Sequence, residues 1–407
     1  MDGRWAIALI VIAVCVAGCK SSQFYSLEPV AQFGSYSAPP AKPQTPFEVY
    51  AAAAVEAQQL AAPMALRAEF TPGQKAQIIR TLDSPLRKVS STPSGDFHFD
   101  FQVLEPHSAH PFRPGWRLLG KGLSWRISLA VQQRRYDDAV ADCINATRFG
   151  FDLMNGDVMD AFLGMAIVDD ARQALLPAFG ELDSEQLARL SKGLRSALLR
   201  KPAGSTTLRN EGANMLASVE LIRQKFMNGR LGDLRSHFGP DVALAINYLS
   251  DVKLGSEKAK NYFEGFAKEI DADIEYLVQS STMPARKRET QRREHLADYR
   301  PWRRFSRHLV TSGNQFLIQR DRTLARSRLF AIEAALLSQV KAIRRAPETL
   351  AGFGDIVQDP FTGDPFIYRA SGPDYVIYSV GADFKDDMGE TDQDFLRPDL
   401  TIERSLR

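Results

Sequence analysis

Cysteine is nearly absent from this chain: Cys15, Cys19 and Cys143 are the only three in 407 residues. Two of them lie near the N-terminus, so the rest of the chain has one thiol and no internal disulfide to staple it. Packing has to hold it together. Histidine is also sparse, at six residues. The chain contains no H-E-x-x-H, G-x-S-x-G, G-x-x-x-x-G-K-[ST] or G-x-G-x-x-G, which removes the sequence grounds for a zincin, a serine hydrolase, a P-loop or a dinucleotide fold. The net charge of +2 argues against a dominant polyanionic partner, and no nucleic acid is expected. The one long apolar run, Trp5–Gly18, has 14 residues. A spanning helix needs about 20.

A charged start at Arg4, a short apolar core and small residues before a break make the layout of a secretory signal peptide over residues 1–18. The ending Val16-Ala17-Gly18-Cys19 resembles a bacterial lipobox. That resemblance implies cleavage before Cys19 and lipid on its sulfur, hence a membrane partner through that lipid. An uncleaved membrane anchor is the alternative. Lys20 stands where an Asp would favour inner-membrane retention in enterobacterial lipoproteins, so the outer membrane is favoured. Residues 19–46 carry five prolines and no sustained periodicity, which reads as a flexible linker. As a coil its reach is roughly 30 Å.

The fold expected is mainly α: a helical bundle or degenerate helical-repeat body over residues 47–319, with a small α+β domain over 320–407. Hydrophobic content of 44% and charge of 25% suit a globular core. Glu48–Glu69 is rich in good helix formers. Thr71-Pro72 marks a helix start, with Ala76, Ile79 and Leu82 as its apolar spacing. Asp183–Gln186 opens another helix whose stripe is Leu187, Leu190, Leu194 and Leu198. Thr206–Met227, Ser256–Gln279 and Arg322–Ile343 read the same way. Phe97, Phe99, Phe101 and Val103 alternate with polar residues, so Asp96–Val103 is expected to be a strand or extended segment packed along helices. Cys143 reads as a small buried residue.

Within this body, Trp125–Gly150 resembles one tetratricopeptide-type unit, with Arg135-Tyr136-Asp137-Asp138-Ala139 as the close-packed turn. No 34-residue self-similarity extends it. The order of a Phe-rich segment, a helical region and a DPFTG segment is also similar to that of degenerate tetratricopeptide-like envelope proteins, a resemblance that brings no activity with it.

The C-terminal residues Asp359-Pro360, Gly363, Pro365, Tyr368, Tyr378-Ser379, Gly381-Ala382-Asp383 and Thr391–Asp394 resemble the soluble domain of the major pseudopilin of type II secretion. Phe366–Arg369 and Tyr375–Val380 are its expected strands, joined at Ser371-Gly372-Pro373. The resemblance implies a calcium site, with a backbone carbonyl from Val380 and carboxylates from Asp383, Asp392 and Asp394. Calcium suits such a flexible oxygen-rich loop. Another divalent cation, or a plain acidic loop, are the alternatives. The prepilin-type apolar helix is missing before this segment, and Arg320, Arg322, Arg326 and Arg328 interrupt its counterpart, so filament assembly through that helix is not expected.

Charge is uneven. Residues 286–328 hold 13 Lys/Arg against four Asp/Glu, whereas 355–399 hold 11 acidic and three basic residues. The two blocks either face each other or water, or the basic one meets an anionic lipid or polymer. His107 and His110 could pair with Glu105 on a zinc ion, although the flanking prolines suggest a loop. No catalytic residue can be assigned. The function expected is a cell-envelope lipoprotein that scaffolds protein interactions, with an envelope protein as partner. The alternative is a hydrolase of wall or surface polymer whose carboxylate pair leaves little trace. Cys19→Ala should abolish incorporation of labelled fatty acid and leave precursor to accumulate; undiminished labelling would remove the lipid anchor from this account.

Overall fold

The computed structural model describes residues 35–61, 70–92, 97–104, 110–200, 203–228, 256–296, 304–389 and 400–401. The signal segment, Cys19, Asp392 and Asp394 lie outside the described residues. The fold is mainly α with a small antiparallel sheet near the C-terminus.

Small residues set the first contact. Helix α1 (Pro46–Ala61) buries Ala51, Ala53, Ala54, Ala57 and Ala61. It lies against α4 (Arg113–Gln132), where a Cβ on Gly115 would collide with the Ala54 carbonyl. Trp116 Nε1 donates to Tyr50 O across the same contact at 3.1 Å. Between them, α2 (Pro72–Thr81) and α3 (Asp83–Ser91) form a short corner. Thr71 caps α2 through a reciprocal box with Gln74. The buried residues here are Ile78, Leu82, Leu86 and Val89. Ile79 is only half-buried, so the apolar spacing runs one residue earlier than the sequence pattern suggests.

The unit read as repeat-like is a helical hairpin. Helix α4 turns through Gln133–Arg135, with Arg134 left-handed at φ 56°, into α5 (Tyr136–Leu153). Ala139 and Cys143 are fully buried on α5. Burial pushes the Cys143 thiol up to about 12, leaving it unreactive. Helix α6 (Val158–Leu175) packs against both α4 and α5. Gly150 and Gly164 meet at the α5–α6 crossing, where a Cβ on Gly150 would lie 2.6 Å from Gly164 O. Helix α7 (Ser184–Leu198) starts on an Asp183–Gln186 capping box and buries Leu187, Leu190, Leu194 and Leu198. Its other neighbour comes from far along the chain.

Helices α8 (Gly204–Met227) and α9 (Glu257–Ser280) pack on each other, and α10 (Ala285–His295) follows. Then α11 runs from Arg304 to Ile343, 40 residues and about 60 Å at the usual rise. It touches α6, α7, α8, α9 and α10. Residues Leu329–Ala334 are buried without interruption, so α11 is enclosed on every side there. The expected start at Arg322 and the expected domain boundary at 320 both fall inside this helix.

Beyond α11, strands β1 (Ile367–Ser371) and β2 (Asp374–Tyr378) pair antiparallel with Tyr368 opposite Ile377. Gly372, at φ 64°, makes the two-residue turn with Pro373. Among its described residues, 97–104, the Phe-rich stretch forms no strand: Phe99 is buried, His98 and Asp100 are exposed, and Phe101 N donates to Phe99 O in a tight turn. Gly164→Val should overpack the α5–α6 crossing by about 1–3 kcal/mol or more and lower the thermal midpoint. An unchanged midpoint would show that the two helices are not in backbone contact.

Candidate functional site

Three places gather chemistry: a carboxylate cluster inside the helical body, the turn that follows α11, and a groove between α7 and α11.

The cluster forms at the N-terminus of α6. Asp157 is the N-cap, and its carboxylate accepts from Asp160 N at 2.9 Å. The Asp160 carboxylate answers toward Asp157 N at 3.4 Å. Arg113, from the first turn of α4, spans both, with Nε 2.8 Å from Asp160 Oδ1 and Nη2 2.9 Å from Asp157 Oδ2. Helix α8 brings a third carboxylate, Glu211, near enough to interact electrostatically with Asp157, Arg113 and Asp160. Asn210 and Thr207 fasten the same face of α8 to the carbonyls of Asn155, Gly156 and Met154. The arrangement obeys helix electrostatics: free amides and the macrodipole favour negative charge at this end.

One guanidinium is set against three carboxylates, and Asp160 is fully buried. Burial, then the neighbouring Asp157 charge, pushes both Asp160 and Glu211 up to about 7. His110 lies under this cluster, 5% exposed; its Nδ1 accepts from Phe112 N at 3.4 Å, and its Nε2 lies 3.9 Å from Asp160 Oδ2 with no hydrogen bond among the described residues. Burial and the Arg113 charge bring its imidazole down to about 4, so it is neutral. Tyr36 of the linker stacks near it, ring centroids 4.5 Å apart, and its hydroxyl accepts from Gln102 N. The linker therefore touches the body well before residue 46. The zinc pairing considered for this histidine lies partly outside the described residues, at Glu105 and His107. His110 itself faces a carboxylate and aromatic rings.

A second buried carboxylate, Asp152, is fully paired. Arg200 donates to it through Nε and Nη2 at 2.8 and 2.7 Å, and Tyr50 through its hydroxyl at 2.8 Å. Burial raises it to about 6. It joins α1, α5 and the end of α7.

In the C-terminal part, Asp359 organises the DPFTG turn. Its buried carboxylate accepts from Phe361 N at 2.9 Å and from the Ser379 hydroxyl at 2.7 Å. Gly363, at φ 83°, closes the turn by donating to Asp359 O. Two amides from the first turn of α10, Ala285 N and Arg286 N, donate to Pro360 O and Phe361 O, and Arg328 of α11 donates to Gln358 O. The turn is thus clamped to the body. Of the residues expected to hold calcium, Val380 and Asp383 are described: Val380 precedes a short 3-10 turn, Gly381–Asp383, and the Asp383 side chain is exposed with one oxygen on Lys385 N. Asp386, in the same acidic stretch, accepts from the Tyr378 hydroxyl at 2.8 Å and from Met388 N.

Much of the basic block is internally engaged. Arg288 and Arg320, 1% and 7% exposed, close on Asp321; Arg292 and Arg293 pair with Glu289; Arg326 pairs with Asp169.

The groove between α7 and α11 has a volume of about 350 Å³. Ala188, Ser191, Ala335, Ser338 and Ala342 form its small-residue floor, and Lys192 and Arg195 stand on one wall. Neither cation makes an ion pair among the described residues.

No family model, no curated protein and no solved structure matches the chain. No described helix is long and apolar enough to cross a membrane.

Sequence reasoning missed the Arg113 cluster. The Asp157-x-x-Asp160 spacing at a helix start was visible as a capping signal, but Arg113 and Glu211 lie more than forty residues away on either side. The α7–α11 groove was equally invisible, since its walls are far apart in sequence.

Proposed function

We propose that the chain is a lipid-anchored cell-envelope scaffold, tethered through Cys19 and binding a partner protein at the α7–α11 groove. The observation that carries this reading is the groove's chemistry. Its floor is small enough to admit another chain closely, and its two cations lack acidic partners, so an acidic segment is the complementary ligand. The carboxylates with raised proton affinity do not line this groove. Asp160 and Asp152 are enclosed between helices, which favours binding over polymer hydrolysis. The linker supports the same reading. Tyr36 is docked on the body, so any tether from Cys19 is shorter than the linker expected over residues 19–46. The scaffold would then stand close to its membrane. The anionic lipid or polymer considered for Arg286–Arg328 has fewer free cations to meet than the sequence suggests.

The acidic loop belongs to this proposal as a calcium site. Asp383 is exposed and close to Val380 in the chain, which suits the pseudopilin-like set with Asp392 and Asp394. Calcium there would supply charge neutralisation and stiffening, not chemistry.

Two measurements test the proposal. A photocrosslinking residue at Ala342 should give a discrete adduct in the cell envelope, and Lys192→Glu with Arg195→Glu should abolish it. If Ala342 yields no adduct, or if the adduct survives charge reversal, the groove is not the docking surface. For the loop, a ligand bound only to the folded form adds about 2.7 kcal/mol at a hundredfold excess over Kd. Chelation should therefore lower the melting midpoint of the full chain, and Asp392→Ala with Asp394→Ala should remove that response. A midpoint indifferent to chelator and to millimolar calcium would leave an ordinary solvated loop.

A further inference from the structure

We infer that the cluster of Arg113, Asp157, Asp160 and Glu211 is a binding site for one proton, and that loss of this proton loosens α8 from the N-terminus of α6. Geometry carries the inference. Asp157 and Asp160 close on one guanidinium, Asp160 has no exposed surface, and Glu211 lies on the face of α8 that Thr207 and Asn210 fasten to the loop before α6. Full ionisation would leave excess negative charge in an enclosed place, where like charges close together cannot all ionise. The Asp160 amide satisfies part of that charge. A proton held on either Asp160 or Glu211 lowers the remaining repulsion.

The second observation is His110. Its Nε2 is buried, has no hydrogen bond among the described residues, and sits 3.9 Å from Asp160 Oδ2. A charged imidazole there would neutralise Asp160 directly. Burial and Arg113 keep it neutral instead, so the proton resides on the carboxyls. The groups facing the site are Tyr36 from the linker, Asp100 from the Phe-rich segment, His110 before α4, Arg113 on α4, Asp157 and Asp160 on α6, and Glu211 on α8.

The signs follow from the two directions of shift. Asp160 and Glu211 bind protons more tightly folded than unfolded. Their contribution is fully present below the unfolded carboxylate range near pH ~4 and is lost as pH rises through about 7. His110 is opposite: its folded affinity is depressed, so its contribution is present above about pH 6.5 and is lost as pH falls toward 4. The cluster therefore has its own stability maximum on the mildly acidic side of neutrality. Alkaline loss of the proton acts at Glu211, the one carboxylate contributed by α8. Thr207 and Asn210 bond the adjacent carbonyls of the same loop, so α8 would be released as a face.

The test uses the full chain. Thermal midpoints measured from pH 6 to 8.5 should fall for the wild type, and Glu211→Gln should cut that fall by half or more, because its side chain cannot ionise. In parallel, carbon-13 labelled aspartate and glutamate carboxyls should show a titration near pH 7 in the wild type, absent from Glu211→Gln. Amide exchange at Val158 should accelerate over the same interval. If no carboxyl titrates above pH 6, or if Glu211→Gln keeps the whole wild-type pH dependence, the proton site is overturned. Should Glu211→Gln fail to fold, the wild-type carboxyl titration decides alone. Neither readout depends on the groove or on a partner.

Discussion

The packing of α11 governs the rest of the molecule. A 40-residue helix buried on all sides across Leu329–Ala334 has to be surrounded before it can be stable. Its neighbours are recruited from most of the chain: α6 and α7 from the first half, α8 to α10 from the second, and the sheet beyond it. Successive helices α4, α5 and α6 stack as repeat proteins do, each on its predecessors. Helix α7 breaks that sequence by taking α11 as its neighbour, with the Ser184 hydroxyl donating to Ser338 O at 2.9 Å and Lys341 Nζ reaching the Gly180 carbonyl at 2.7 Å. The stack is thereby closed by a distant segment, and the two C-terminal strands ride on the same helix through Tyr375 and Glu333.

Charge is the second constraint. Removing an ion from water costs several kcal/mol, and a buried pair offsets this only with good geometry and further hydrogen bonds. Asp152 satisfies that condition with Arg200 and Tyr50. Asp321 satisfies it with Arg288 and Arg320, one on α10 and one beside it on α11. The α6 cluster satisfies it less completely, because its carboxylates outnumber its cation. That imbalance distinguishes a structural ion pair from a site with a proton to lose.

The sequence made the helices legible because their apolar stripes are regular and their caps are chemically explicit. Thr71 and Asp183 both form the boxes that their neighbours Gln74 and Gln186 suggest, and Ala139 occupies the close contact expected of the hairpin. The buried side of the Phe-rich segment was legible too, at Phe99, since alternating aromatics need one buried face. The long helix was legible only in its second half, from Arg322. Its first half is rich in arginine, and arginine reads as surface. Arg320 is nevertheless buried, because Asp321 and the Ser281 carbonyl take its donors. Long-range pairing of this kind leaves no local pattern. The same reason hides Arg113 among its carboxylates, whereas Asp383 and its acidic neighbours are obvious as a run.

The proposed scaffold depends on the C-terminal part being mounted rigidly on the helical body. Arg328 and the first two amides of α10 tie the DPFTG turn to elements that belong to the body, and α11 belongs to both. Differential scanning calorimetry of the full chain tests this most directly. The account predicts one cooperative transition that includes the C-terminal strands, with calorimetric and van't Hoff enthalpies in agreement. A separate earlier transition, in which the strands and the DPFTG turn melt while α11 and the body stay folded, would contradict it.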